Sequence, residues 1–263
     1  MATQDWSGVH PQALVDPSAI LGADVVVGPW SYIGPGVEVG DGTEIMSHVV
    51  VKGPTVIGRN NRIFQFSSIG EECQDKKYAG EPTRLIIGDN NTIRENCTVH
   101  RGTVQDRGET RIGSGNLLMA YVHVAHDCVI GDHTILANCS TLAGHVRVGD
   151  WAILGGGTMV HQFCQIGAHS MSAGGSIVLK DIPAYVMASG QSAAPFGINV
   201  EGLKRRGFDK NALLNLRRAY KIVYRHGLTT EQAVDELQRT FSDNSEVQPL
   251  IDSLRNAHRG IVR

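Results

Sequence analysis

Five of the histidines between positions 100 and 161 of this chain are candidates for chemistry: His100, His123, His126, His145 and His161. An imidazole titrates near neutrality, so such a group suits proton transfer to or from a reacting hydroxyl. It also suits zinc, which takes three protein ligands in a catalytic site and leaves one position open. The spacing His123-x-x-His126 does not separate the two chemistries. Any one of these residues reads by default as a solvated surface histidine, and five in one stretch weigh against that reading for the group. Which chemistry is open to them depends on the element that holds them.

That element is legible as a beat of six. An aliphatic residue opens each of 24 blocks, in an unbroken series from Val9 to Ile69, a short one from Ile87 to Val99, and a third from Ile112 to Ile166. The second residue is Gly in half of the blocks, and the fifth is usually small or β-branched, as in Thr43, Val49, Ser67, Thr134 and Ser140. A period of six fits neither an amphipathic helix nor an alternating strand, and hexapeptide repeats mark parallel β-helices. Three blocks make one triangular coil. The opening aliphatic fills the interior, the fifth residue must be slim, and glycine relieves crowding at the bend. Twenty-four blocks predict eight coils, and left-handed coiling is carried over from hexapeptide proteins that this chain resembles.

Eighteen residues return the chain to the same face, one strand spacing of about 4.8 Å higher. On that rule His126 lies beneath Gly144 and then Gln162, and Asp127 beneath His145. A base next to a peptide N–H with no side chain can activate a hydroxyl and hold the oxyanion of a tetrahedral intermediate. Neighbours on a straight strand point to opposite sides, which would turn Asp127 away from His126. The same rule stacks Asn138, Gly156 and Gly174, a column that loses its side chains in the upper coils. A prism of this kind has no internal cavity, so any site must lie on its surface or between neighbouring prisms.

The chain has 263 residues, 41% of them hydrophobic, with 24 basic and 26 acidic side chains and a formal charge of -2. That balance gives no global electrostatic case for nucleic acid. Met1 to Gln12 holds no basic segment followed by an apolar one, and no long apolar run occurs anywhere, so a cytoplasmic protein without integral membrane contact is expected. Cys73, Cys97, Cys128 and Cys164 all fall at the fifth, slim position, which reads as interior packing rather than a metal or disulfide framework.

The beat fails twice. External loops are expected near 75–86, where the polar run Gln74 to Pro82 replaces aliphatics, and near 105–111. It then fades between Ser172 and Gly190. The expected organisation is a left-handed parallel β-helix over 1–190 and a C-terminal α-helical domain over 191–263. In the latter, Asp209 caps a helix through Arg225, Thr229 and Gln232 form a capping box, and a third helix runs from about 246 to 258. Basic residues Lys204, Arg205, Arg206 and Lys210 precede the first of these helices, and Arg217, Arg218, Lys221 and Arg225 decorate it. They form either a solvated face or a dock for an acidic partner.

Gln74 to Arg84, His100 to Val104, His123 to Cys128, Leu142 to His145, Val160 to Cys164 and Asn199 to Phe208 together resemble the UDP-N-acetylglucosamine O-acyltransferases of lipid A biosynthesis in Gram-negative bacteria, over the whole chain. The resemblance implies a homotrimer with sites in clefts between subunits, moving an (R)-3-hydroxyacyl group from acyl carrier protein to the glucosamine 3-hydroxyl. It makes His126 the general base, Asp127 its orienting partner and the Gly144 N–H the oxyanion donor. Gln74, Asp75, Lys77, His100, His123, His145, His161 and Gln162 would contact sugar, diphosphate or acyl chain. Asn199, Glu201, Arg205 and Arg206 would hold the uridine diphosphate, and Gly174 would floor the acyl groove for a donor of twelve to fourteen carbons. Lys204, Arg217, Arg218 and Lys221 would meet the carrier protein. No metal and no cofactor beyond the donor's own phosphopantetheine is implied. The competing readings are a hexapeptide acyltransferase that uses coenzyme A or an amine acceptor, a zinc enzyme like the gamma carbonic anhydrases, and a purely structural trimerising β-helix.

Overall fold

The computed structural model describes residues 6–242 and 244–263; Met1 to Asp5, part of the stretch read above for a leader, lie outside the described residues. The chain winds into a left-handed parallel β-helix with three faces. The first face starts at Leu14–Val15, the second at Ile20–Leu21 and the third at Val26–Val27, and their sheets hold nine, eight and ten strands. Most strands are two residues long, and pairs such as Val124↔Leu142 and Leu142↔Val160 keep the eighteen-residue register. The opening aliphatics Ile33, Ile45, Ile63, Leu118, Leu136 and Leu142 are fully buried in one continuous core.

The fifth position is buried too, but it is not uniformly slim. Asn61, Asn91 and Asn116 occupy it in successive coils of the corner between second and third faces, where each offers its side-chain oxygen to the coil above. Asn61 Oδ1 accepts from Asn91 N at 2.9 Å, Asn91 Oδ1 from Asn116 N at 2.9 Å, and Asn116 Oδ1 from Thr134 Oγ1 at 2.8 Å. Paired in this way, the amides tolerate the interior. The predicted packing of Cys73, Cys97, Cys128 and Cys164 is what the structure has, and burial pushes the Cys97 thiol up to about 11 and Cys128 to about 12.

Bending is shared between two residue positions rather than left to glycine. The fourth residue of the block takes the left-handed conformation, usually without being glycine, as at Asn60 (φ 53°), Asp127 (φ 58°), His145 (φ 63°) and Trp151 (φ 61°). Glycine at the second position answers a different need: a Cβ on Gly58 would lie 2.7 Å from the carbonyl oxygen of Gly88 in the next coil.

Both excursions leave from one corner, between the first and second faces. The first departs after Ser68–Glu71 and rejoins at Arg84–Ile87; the second departs after Thr98–His100 and rejoins at Glu109–Ile112. Residues 84–86 and 109–111, assigned to loops from the sequence, are therefore ladder strands. The beat also does not end at Met171. Met171–Ser172, Ile177–Val178 and Val186–Ser189 continue the coils, and Ala194–Ile198 turns back antiparallel on Val186–Ser189.

Four helices follow: α1 (Val200–Arg205), α2 (Lys210–Arg225), α3 (Thr230–Thr240) and α4 (Gln248–Arg255). Asp209 caps α2 through Ala212 N at 2.8 Å, and the Thr229/Gln232 capping box opens α3 as its spacing predicts. Short α1 was not foreseen, so Lys204 and Arg205 lie inside a helix rather than before one. Leu213, Leu216 and Val223 bury the inner side of α2 against Tyr185 and Ile198 at the end of the prism. Among the described residues no helix is long and apolar enough to cross a membrane.

Candidate active site

The corner between first and second faces holds the candidate catalytic residues. His126 follows strand His123–Val124, and the left-handed backbone at Asp127 swings its carboxylate back toward its neighbour instead of away from it. His126 Nδ1 meets Asp127 Oδ2 at 2.8 Å. The strand-alternation argument fails here because these residues sit on a bend. Asp127 is almost fully buried, which alone would raise its pKa, yet hydrogen bonds from His126 and Thr103 hold the carboxyl below its ordinary value. A carboxylate on Nδ1 fixes that nitrogen as the N–H and leaves Nε2 as the acceptor.

Gly144 sits where the stacking rule places it. A Cβ there would lie 2.6 Å from both Cε1 and Nε2 of His126, so only glycine lets the ring occupy its position. The Gly144 N–H donates no hydrogen bond among the described residues. The His126 ring and an open peptide N–H thus adjoin.

The other histidines surround this pair. His145 lies 5.0 Å from the His126 ring, nearly perpendicular to it, stacks on Phe163 at 4.4 Å, and turns Nδ1 to Asp106 Oδ2 at 3.1 Å. His123 is one rung below on the first face, held by Thr98 Oγ1 at 2.8 Å and 5.3 Å from the His100 ring. Burial, with His100 beside it, pushes His123 down to about 4, so it is neutral at physiological pH. His100 Nδ1 contacts the carbonyl of Glu72 at 2.6 Å and so ties the first excursion to this corner. On that excursion Asp75 Oδ1 accepts from Lys77 N at 3.0 Å, while the side chains of Gln74 and Lys77 are exposed. His161 is solvent-facing, its Nδ1 3.1 Å from the carbonyl of Gln162. Ligand atoms of His126, Asp127 and His145 lie within 4.8 Å of one another, near enough for a metal ion. His126 Nδ1 and Asp127 are already committed to each other, however, and Thr103 takes both carboxylate oxygens.

The residues read as a uridine diphosphate site are elsewhere in the chain. Asn199 is buried, caps α1 through Gly202 N at 3.1 Å and donates to the carbonyl of His169 at 3.0 Å. Arg206 Nη1 donates to His169 Nδ1 at 3.3 Å, and its guanidinium lies 5.2 Å over Trp151. Burial, together with that guanidinium, pushes His169 down to about 4. Trp151 and His169 belong to the corner between second and third faces, so one chain does not bring these residues to His126. Glu201 is ion-paired with Lys204 at 2.9 Å, and Arg205 is exposed. Gly174 lies on the third corner, in an exposed column with Gly156 and Asn138; its Cβ would meet only the Gly156 backbone, at 3.3 Å. Arg217, Arg218, Lys221 and Arg225 rim a groove of about 690 Å³ floored by Ile198, Val200 and Leu214.

Thr103, Asp106, Trp151 and His169 carry contacts that no motif assigned. The eighteen-residue rule would have found the second corner's ladder, since His133, Trp151 and His169 stand in that register and stack, His133 on Trp151 at 4.3 Å.

A coiled prism with a carboxylate-oriented histidine against a bare peptide N–H defines a hexapeptide-repeat transferase, and residues 109–144 match the model for bacterial transferase hexapeptides (six repeats). Residues 181–262 match that for UDP N-acetylglucosamine O-acyltransferase, domain 2. The acyl-(acyl-carrier-protein)–UDP-N-acetylglucosamine O-acyltransferase of Thiobacillus denitrificans is 64% identical over 203 residues, 77% of this chain and 79% of that one. Solved structures of LpxA from Acinetobacter baumannii (TM-score 0.95, 55% identity) and of UDP-N-acetylglucosamine O-acyltransferase from Moraxella catarrhalis (TM-score 0.96, 50% identity) each cover 97% of this chain and 99% of theirs. The chain belongs to the UDP-N-acetylglucosamine O-acyltransferase family and is an acyl-carrier-protein-dependent O-acyltransferase.

Proposed function

We propose that the protein moves an (R)-3-hydroxyacyl group from acyl carrier protein to the 3-hydroxyl of UDP-N-acetylglucosamine, the first step of lipid A biosynthesis, in the cytoplasm. The observation that carries this reading is the His126–Asp127 pair set against the unpartnered Gly144 N–H. His126 Nε2 takes the proton of the sugar hydroxyl as its oxygen attacks the thioester carbonyl carbon. Gly144 N–H holds the resulting oxyanion. Collapse breaks the C–S bond, and the departing phosphopantetheine thiolate takes the proton back from imidazolium. Asp127 stabilises that imidazolium and fixes its tautomer. No acyl-enzyme forms and no metal or other cofactor takes part, because hydroxyl attack on a thioester needs only the base and the oxyanion donor. The test is incubation with UDP-N-acetylglucosamine and 3-hydroxyacyl carrier protein, with mass spectrometry of the nucleotide sugar. Transfer only from coenzyme A, or only to an amine, overturns the reading, as does activity that a chelator abolishes and zinc restores.

The same reading assigns a homotrimer, and the three corners support it. Catalytic residues occupy one corner, Asn199, Glu201, Arg205 and Arg206 belong near a second, and the third exposes Trp30, Phe66 and Tyr121. With that apolar corner at a threefold axis, each first face meets a neighbour's third face and the two half-sites become adjacent. Mixing inactive His126→Ala and Arg206→Ala chains during refolding then restores activity; a site within one chain predicts no recovery. Gln74, Asp75, Lys77, His100, His123, His145, His161 and Gln162 line the cleft toward sugar, diphosphate and acyl chain. Gly174 floors the groove's end, and Gly174→Met shifts preference to shorter donors while keeping turnover on them. Arg217, Arg218 and Lys221, with Lys204 nearby in sequence, offer the acidic carrier protein a basic rim over an apolar floor.

A further inference from the structure

We propose that Thr103 is a positioning residue of this reaction, and that the second excursion exists to set the His126–Asp127 pair. The proposal rests on the reading of His126 as the base. Thr103 is buried and grips both carboxylate oxygens of Asp127: its N–H donates to Oδ1 at 2.9 Å and its Oγ1 to Oδ2 at 2.6 Å. Oδ2 is also the oxygen that receives His126 Nδ1. From the strand on which that excursion rejoins the ladder, Thr110 Oγ1 accepts from Asp127 N at 2.8 Å. The excursion and the strand that ends it hold Asp127 between them by side chain and backbone. Gly108 N closes the excursion onto the carbonyl of Thr103 at 2.9 Å, and Gly102 passes so near the backbone of Glu109 that a Cβ would lie 2.6 Å from its Cα. At its tip Asp106 reaches His145, whose Nε2 lies 3.9 Å from Asp127 Oδ2.

Two donors on one carboxylate oxygen leave it a single rotation, and that rotation aims the imidazole. Without the Thr103 hydroxyl, Oδ2 keeps His126 alone and the carboxylate can turn about its own bond. A tolerated surface insertion would have no reason to bury a threonine against the one carboxylate that touches the base. The ionisable groups facing Asp127 are His126 and His145, with Asp106 behind His145 and the Cys73 thiol on the first excursion.

The experiment is steady-state kinetics on full-length Thr103→Val, Thr103→Ser and Asp127→Asn, with thermal melting of each and His126→Ala alongside. Misplacing a catalytic group by about 1 Å can cost about 100-fold, and a smaller shift about 10-fold or more. Thr103→Val should lose that much in kcat with KM for UDP-N-acetylglucosamine unchanged, and Thr103→Ser, which keeps the hydroxyl, should recover most of it. In the Asp127→Asn background the valine should add less than about twofold, because the group it positions is already gone. Should Thr103→Val not fold, Thr103→Ala carries the same comparison. Full kcat in folded Thr103→Val, a loss confined to KM, failure of serine to rescue, or losses that add to those of Asp127→Asn each overturn the proposal. Full turnover in His126→Ala would instead remove the base itself, so the two failures are distinguishable.

Discussion

Two corners of one prism are built from the same six-residue block and differ in almost everything else. At the corner between second and third faces the second residue is glycine in every coil from Gly22 to Gly167, no residue is inserted, and carboxylates of one coil cap the bare N–H of the coil below: Asp41 on Ala23, Asp89 on Arg59, Asp132 on Ser114, Asp150 on Asp132. At the corner between first and second faces two excursions break the beat, and Gly144 and Gln162 stand where the other corner has its capping aspartates. That exchange leaves the Gly144 N–H open and makes room for the His126 ring. The regular corner meets four of its N–H groups with carboxylates of the next coil. The irregular corner brings the His126 ring against Gly144 instead.

The contrast breaks first if histidines at the two corners behave alike. His126→Ala should fold normally yet lose about 10²–10⁴ in turnover, the usual contribution of a general base. His133, at the fourth position of the regular corner and stacked on Trp151, has no carboxylate partner among the described residues. His133→Ala should stay within about twofold of the parent. Comparable kcat losses in both would mean that the Asp127 and Gly144 partners do not decide the effect.

The same substitution at a glycine of each corner sharpens the point. At Gly144 the added methyl collides with a side chain, the His126 ring, which can swing away. At Gly58 it meets the backbone of the next coil, which cannot. Gly144→Ala should melt close to the parent and lose about 10–100-fold in kcat, since the base and the oxyanion donor are both displaced. Gly58→Ala should keep kcat per folded molecule and lose about 1–3 kcal/mol of stability from overpacking. Calorimetry and kinetics on the pair separate these outcomes. A stability loss at Gly144 with kcat intact would make it a packing glycine like the rest.

The prism was legible because its core is repeated. A buried aliphatic every six residues leaves a record that no local accident imitates, and the eighteen-residue sum placed Gly144 against His126 before any coordinate was known. The resemblance paired Asp127 with His126, and the structure has that contact at 2.8 Å; the strand rule argued against it because it does not hold on a bend, where a positive φ that reverses the side chain leaves no mark in residue type when His, Trp and Asp all occupy that position. The ends of the excursions were set too late because Arg84 to Ile86 and Glu109 to Arg111 lack the block pattern yet still ladder with their neighbours. Thr103 fell inside a segment that carries the resemblance but received no role, since a threonine after glycine in a loop looks like any turn residue. The residues assigned to the uridine diphosphate came from the resemblance alone, and only the fold placed Asn199 and Arg206 against His169, at another corner from His126.

The smallest effect concerns acid. His169, at the regular corner, is desolvated and receives the Arg206 guanidinium on Nδ1, a bond that only neutral imidazole can accept. Its folded pKa is about 4, against about 6.5 in the unfolded chain. Between those values the unfolded state binds a proton that the folded state refuses, so stability is full above pH 6.5 and falls as the pH drops toward 4. Partial exposure reduces the cost to about 1–2 kcal/mol across the window. His169→Phe keeps the stacked ring between Trp151 and Tyr185 and removes the titration. Urea unfolding at pH 7 and pH 5 should show a smaller drop for this variant than for the parent. His123→Gln should flatten the curve in the same direction from the first face, because His123 is also pushed to about 4 by burial. If neither variant narrows the gap between the two pH values, these rings are not held neutral by the fold. Acid sensitivity between pH 7 and pH 5 must then come from other groups, and not from Asp127 at the irregular corner, whose depressed pKa costs stabilisation only as the pH falls below the ordinary carboxylate range.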